Sequence, residues 1–374
     1  MKAKIALVAN TAWYLQNFRR TLIRRLQEEG YSVITIAPPD EYVSELRALG
    51  AEFHGVPMDS KGANPFADFR LAMALRQLLR DERPACVLTF TVKPNVFGTF
   101  AATSLGIPVV SNVSGLGTAF IRRNWITTVV KTLYRAALRR SATAFFQNPD
   151  DLQLFLQHRL VPAAKARLLP GSGVDVDHFS PAPAQRESSA TIRFLLLGRL
   201  LWDKGIGEFV EAARQLRLRH PNTEFTLMGF AETENRTAIP MSTIQTWVNE
   251  GLVTYLPPAL DVRAVLAASD CVVLPSYREG TPRSLLEASS MAKPIITTDV
   301  PGCRQVVDDG DSGYLAPVRD SRALADRMER VLLLSADQRR QMGLRGRQKM
   351  IREFDDRKVL GEYLRAITEA KSCT

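Results

Sequence analysis

Short apolar runs separated by amphipathic stretches recur from Lys4 onward, and this alternation leaves few folds open. It is the pattern of βα units wound around a parallel sheet. Strands are expected at Lys4 to Ala9, Ser32 to Ala37, Ala51 to Val56, Ala85 to Phe90, Pro108 to Ser111, Ala142 to Gln147 and Arg167 to Leu169. Residues 15–29, 65–81 and 124–140 carry apolar side chains at helical spacing. After Gly171-Ser172-Gly173 and the polar stretch Ser180 to Ser189, a second series opens. Its strands are expected at Ile192 to Leu197, Glu224 to Met228, Leu252 to Tyr255, Cys271 to Leu274 and Pro294 to Thr298, with helices at 206–218, 262–268 and 283–292. The 374 residues suit two domains at about 150 residues each. With 45% hydrophobic and 24% charged residues, neither a disordered nor a fibrous chain is indicated. The fold class is therefore α/β, two doubly wound halves facing a central cleft, and ligands of such sheets bind outside the carboxyl ends of the strands. The boundaries read as 1–170, a hinge at 171–190, 191–350, and a last helical segment within 337–370 whose final part, 351–374, crosses back to the first domain.

The net charge of +10 is unevenly placed. Residues 1–170 hold 22 Lys and Arg against 12 Asp and Glu, while residues 171–374 hold 27 of each. A polyanionic partner is expected for the first half, either nucleic acid or an anionic membrane surface. Cys86, Cys271, Cys303 and Cys373 show no CxxC spacing, and His54, His158, His178 and His220 no paired spacing, so no disulfide framework and no metal site is expected. A reducing cytoplasmic compartment fits, and no stretch approaches the ~20 apolar residues of a membrane span. The sequence contains no GxGxxG after the first strand, no GxxxxGK[ST], no HExxH and no GxSxG.

Two segments carry the chemistry. Leu274-Pro275-Ser276-Tyr277-Arg278-Glu279-Gly280-Thr281-Pro282-Arg283-Ser284-Leu285-Leu286-Glu287 follows a buried strand and leads into a helix. The helix start brings backbone N–H groups and the positive dipole end that suit phosphate, and Glu279 and Glu287 can accept hydrogen bonds from hydroxyls of one long ligand. Leu197-Gly198-Arg199-Leu200-Leu201-Trp202-Asp203-Lys204-Gly205 places two cations five residues apart after another buried strand, an arrangement suited to a pyrophosphate.

Glu279 and Glu287 resemble the E-x7-E pair of the retaining family 4 glycosyltransferases, and Gly198-Arg199 with Lys204-Gly205 resembles that family's donor-phosphate motif. Pro170 to Asp175, Asp270 to Ser276, Asp299 to Cys303 and Gly313 to Leu315 are similar to the same family in order and spacing, so that residues 165–320 are covered. The segments around Trp202 to Ile206 and Leu274 to Glu287 most resemble bacterial transferases of N-acetylhexosamine onto undecaprenyl-diphosphate-linked sugars. The resemblance implies a GT-B fold, two Rossmann-like domains, and sugar transfer from a UDP-sugar with retention at the anomeric carbon. It implies that Arg199 and Lys204 hold the diphosphate, Glu279 the donor sugar and Glu287 the ribose, with Gly280, Thr281 and Arg283 completing the site. No cofactor and no obligatory metal is implied.

The first half then supplies the acceptor, a lipid-linked saccharide. Lys93 and Asn95 after one strand, and Asn112, Gly115 and Gly117 after the next, are the candidate contacts. Arg122, Arg123, Trp125, Arg139 and Arg140 bound an amphipathic stretch suited to anionic lipid headgroups at the inner face of the cell membrane. The chain departs from the family in its first loop, Asn10 to Tyr14, which has no glycine, and in lacking a matching first-half histidine. Two other readings remain at this point: a nucleotide-sugar epimerase of the same fold, and a nucleic-acid-binding protein. The first lacks a persuasive acid and base pair for the sugar C2, and the second has no need of Glu279.

Overall fold

The computed structural model describes residues 3–59, 64–115, 125–181, 191–231, 235 and 237–372. They form two compact units, the first of Met1–Ser172 with Arg357–Thr374, the second of Gly173–Asp356.

The first unit holds strands β1 (Lys4–Val8), β2 (Ser32–Ala37), β3 (Glu52–Gly55), β4 (Cys86–Phe90), β5 (Val109–Val113), β6 (Thr143–Phe146) and β7 (Ala166–Leu168). The sheet order is β3-β2-β1-β4-β5-β6-β7, and every ladder is parallel. The two-residue period of a strand explains why both faces are apolar. Ile5 and Leu7 face one core, with Leu22, Leu26 and the carboxyl-terminal Tyr363 and Ile367; Ala6 and Val8 face another, with Leu71, Leu75 and Leu79. The first helix, Ala12–Glu28, begins three residues earlier than its apolar spacing indicates because the Thr11 hydroxyl accepts the Tyr14 N–H at 3.0 Å.

The second unit repeats the winding with β8 (Ile192–Leu197), β9 (Thr223–Met228), β10 (Thr254–Leu256), β11 (Cys271–Leu274), β12 (Ile295–Thr298) and β13 (Gly313–Ala316), in the order β10-β9-β8-β11-β12-β13. All its ladders are parallel as well. Strand β13 was not expected. It is a four-residue edge strand with only a half-buried middle, too short to stand out as an apolar run.

Two boundaries differ from the sequence reading. Residues 173–181 are not a free hinge, since Val174, Val176 and Phe179 are buried in the second unit's core and Arg347 donates to the carbonyls of Val176 and Phe179 at 3.1 and 3.2 Å. Residues 182–190 of the expected hinge lie outside the described residues. The last segment is not one helix. Ala336–Lys349 continues through a π-helical turn to Phe354, breaks at Asp355, and resumes as Asp356–Ser372. At the break Val174 N–H donates to the Phe354 carbonyl at 2.9 Å, and Asp356 N–H donates to the Val174 carbonyl at 3.0 Å. Gly173 has φ +73°, and a Cβ there would lie 2.6 Å from the Asp356 Cα, so the two chain crossings lie backbone against backbone. No described helix is long and apolar enough to cross a membrane.

Candidate functional site

In the second sheet the strand order reverses between β8 and β11, which makes the ends of these neighbouring strands its switch point. The two segments singled out in the sequence are the loops leaving these two strands. Their backbones are tied together. Tyr277 N–H donates to the Asp203 carbonyl at 2.9 Å, and the Ser276 hydroxyl reaches the same carbonyl at 3.3 Å. Gly205, at φ +71°, permits this approach, because a Cβ there would come within 2.1 Å of the Pro275 carbonyl oxygen.

Across this junction the Lys204 ammonium donates to the Glu279 carboxylate, forming a salt bridge. The same Glu279 Oε1 accepts the Ser276 hydroxyl at 2.7 Å. The two charged side chains are 19% and 13% exposed, so the pair is largely withdrawn from water yet still open to a ligand. A third loop, after β12, braces it. Glu279 N–H donates to the Pro301 carbonyl at 3.2 Å, the Thr298 hydroxyl donates to the Ser276 carbonyl, and Gly302 at φ +83° packs directly on the Glu279 and Gly280 carbonyls.

The helix Arg283–Ser290 begins three residues beyond Gly280, with Pro282 at its amino-terminal cap. One turn in, Arg283 Nε donates to Glu287 Oε1 at 2.5 Å. Burial pushes the Glu287 carboxyl upward, and the Arg283 guanidinium partly opposes that shift. Thr281 is buried and its hydroxyl donates to the Gly280 carbonyl at 2.8 Å. Arg199 is exposed and its guanidinium makes no ion pair among the described residues. The junction therefore presents an ammonium shared with a carboxylate and a nearby helix start, with the exposed Arg199 on the same β8 loop, a set that suits an anionic ligand bearing hydroxyls. Cys303 lies beneath it with its thiol pushed up to about 12 by burial, which makes it an unreactive wall rather than a nucleophile.

The structure brings Lys204, Glu279 and Gly280 together and places Arg283 and Glu287 on the helix that follows. The sequence reading missed Ser276 and Gly302 as partners of Glu279. Ser276 lay inside the quoted motif, and the Pro301-Gly302 turn pair was the available signal for the second. In the first unit the candidate acceptor residues are differently placed. Asn95 and Asn112 are fully buried, with Asn95 donating to the Asn112 carbonyl at 2.8 Å and Asn112 donating to the Tyr363 hydroxyl. They tie the carboxyl-terminal helix and the sheet together. The Lys93 ammonium is held by Asp68 at 2.7 Å, with side chains 13% and 14% exposed. Gly115 stands at φ +132°, in a conformation that favours glycine. Arg139 and Arg140 are exposed just past the helix Trp125–Leu138, whereas Gly117, Arg122 and Arg123 lie outside the described residues.

Two doubly wound parallel sheets, with a cation and carboxylate junction at the switch point of the second, place the chain among α/β proteins that bind ligands at strand ends. The family comparison gives its class. Residues 16–172 match the glycosyl transferase 4-like domain, and residues 191–333 match the glycosyl transferases group 1. The chain belongs to these glycosyltransferases and has their GT-B fold. It is 26% identical to the N,N'-diacetylbacillosaminyl-diphospho-undecaprenol alpha-1,3-N-acetylgalactosaminyltransferase of Campylobacter jejuni, with 97% of each chain covered. It is 27% identical to the UDP-Gal:alpha-D-GlcNAc-diphosphoundecaprenol alpha-1,3-galactosyltransferase of Escherichia coli, over 74% of this chain and 73% of that one. Among solved structures, Anabaena HepE in complex with UDP and glucose superposes with a TM-score of 0.81 at 15% identity, covering 98% of this chain and 99% of that one.

Proposed function

We propose that this glycosyltransferase moves an N-acetylhexosamine or hexose from a UDP-sugar to a polyprenyl-diphosphate-linked saccharide, with retention at the anomeric carbon, in the assembly of a surface polysaccharide or glycan. The observation that carries the reading is the Lys204, Ser276 and Glu279 cluster between the β8 and β11 loops, with Arg199 beside it in sequence. Both relatives named above act on undecaprenyl-diphosphate-linked sugars, and one takes UDP-Gal by its name.

In this reading Arg199 and Lys204 neutralise the charge that collects on the departing diphosphate, a role that elsewhere falls to a metal ion. Glu279 accepts hydrogen bonds from the donor sugar and faces the positive charge developing at its anomeric carbon. Glu287 takes the ribose hydroxyls, and the helix start at Arg283 receives phosphate oxygens. The C1–O bond to the diphosphate breaks and a C1–O bond to the acceptor hydroxyl forms on the same face. The acceptor's proton passes to the departing phosphate oxygen, so no protein base is consumed. The excess of basic residues in the first 170 positions and the exposed Arg139 and Arg140 support peripheral contact with an anionic membrane, where such an acceptor resides.

The test is transfer by the purified chain from a panel of UDP-sugars to an undecaprenyl-diphosphate-linked acceptor, with EDTA present. The expected outcome is turnover with one or a few donors, an α-linked product from an α-linked donor, and loss of at least about 100-fold in kcat for Glu279→Gln. Full turnover by Glu279→Gln, or an inverted product, would refute the assignment.

A further inference from the structure

A second cluster lies in the first unit, on elements that contribute nothing to the donor site. Strand β3 is the outer strand of its sheet, and Glu52 and His54, two residues apart, project from the same face of it. Glu82, the last residue of the helix Pro65–Glu82, meets them. His54 Nε2 lies 3.1 Å from Glu52 Oε1 and 3.5 Å from Glu82 Oε1, and the three donor atoms all lie within 4.8 Å of one another.

Two features separate this group from an ordinary surface ion pair. His54 Nε2 is shut off from solvent and makes no hydrogen bond, although a carboxylate stands on each side of it. The oxygens are close but lie off the direction in which a ring N–H would donate. Donor atoms each about 2.1 Å from a tetrahedral zinc ion stand about 3.4 Å apart, which is the spacing found on both sides of the ring nitrogen. Lys4 sharpens the arrangement. Its ammonium donates to Glu82 Oε2 at 2.6 Å, leaving Oε1 as the oxygen turned toward His54. His54 and Glu82, though not Glu52, also line a shallow cavity of about 320 Å³ with Val56, Ala74, Gln77 and Leu78, so two of the three groups stand beside space open to water or a small ligand.

We infer that Glu52, His54 and Glu82 form a binding site for a zinc-class divalent cation, three protein ligands with an open fourth position. One imidazole with two carboxylates suits zinc or its neighbours better than magnesium, which keeps most of its own water. The bound ion would clip the edge strand β3 to the end of the helix Pro65–Glu82. The spacing of histidines in the sequence gives no sign of this site, because the Glu-x-His pair finds its third member 28 residues away.

The test is calorimetric titration of the metal-stripped full chain with Zn²⁺, with Mg²⁺ in parallel, followed by the Co²⁺ absorption spectrum as a report on geometry. One Zn²⁺ event is expected, with no Mg²⁺ event and a four-coordinate Co²⁺ spectrum. In His54→Gln and separately in Glu52→Gln the Zn²⁺ affinity should fall at least about tenfold. Should His54→Gln fail to fold, Glu52→Gln decides alone, because Glu52 is more than half exposed and its replacement leaves the core untouched. Absence of Zn²⁺ binding in the parent chain, or unchanged affinity in Glu52→Gln, would overturn the assignment.

Discussion

The Lys204 and Glu279 pair gives a prediction that can be worked from its surroundings. A fully exposed ion pair contributes about 0–1 kcal/mol, and removing one member of a fully buried pair costs about 3–5 kcal/mol because the other charge is left without a partner. With side chains 19% and 13% exposed, this pair lies between those limits and nearer the buried one. Lys204→Met should therefore destabilise the second unit by about 2 kcal/mol. Glu279→Gln should cost somewhat less, since the amide oxygen can still accept the Ser276 hydroxyl that donates to Glu279 at 2.7 Å. The double variant should cost less than the sum of the two, with a coupling of about 1–2 kcal/mol, because each single change strands a charge that the double change removes. Urea denaturation of the four proteins without nucleotide measures this cycle. If the donor diphosphate competes for the Lys204 ammonium, saturating UDP should reduce the coupling. Additive single effects, with a coupling below about 0.3 kcal/mol, would show that the two charges do not depend on one another and would remove the basis for treating them as one unit.

Gly302→Ala should disturb the same loop through its backbone, since the new Cβ would sit 2.4 Å from the Gly280 carbonyl oxygen and 2.5 Å from that of Glu279. Gly310→Ala, at φ +81° with nothing within 4 Å, isolates the backbone cost of about 1 kcal/mol. Gly302→Ala should exceed it by about 1–2 kcal/mol in urea denaturation, and equal losses would refute the close contact. Glu287 gives a pH dependence. Its native carboxyl is raised above the ordinary value of 4.5, chiefly by burial. The native state therefore keeps this proton to a higher pH than the unfolded chain does, and the group's contribution to stability is lost as pH rises through the native value. Glu287→Gln should gain stability relative to the parent as pH is raised from about 4 to 7, and parallel stability curves across that range would refute the shift.

Much of this protein was readable from the order of its residues. Twelve of the strands fall where strands are read from the sequence, most of them on buried apolar runs, and the two βα series announce two doubly wound sheets. Glu279, Lys204 and Arg199 stand out in the sequence because each falls in a loop after a buried strand, where such sheets bind their ligands, and the structure joins two of them in one ion pair. Strand β13 was not legible, since Gly313–Ala316 is short and lies at a sheet edge, where pairing to β12 rather than local hydrophobicity makes it a strand. Nor was the fate of Asn95 and Asn112. A polar residue after a strand reads as a ligand contact until the carboxyl-terminal helix, some 250 positions away, supplies Tyr363 and closes them into the core.

The sequence by itself determined the winding of both sheets and the kinds of charge at the ends of their central strands, because these depend on local periodicity and on short-range turn chemistry. Only the tertiary structure decided how those charges are shared. Lys204 and Glu279 are 75 positions apart; Glu52 and His54 meet Glu82 across an edge strand and a helix end; and Ser276 and Gly302 reach Glu279 from either side. Which charge neutralises which is set by distances of a few ångströms and by the water excluded around them, and those quantities exist only once the chain has packed.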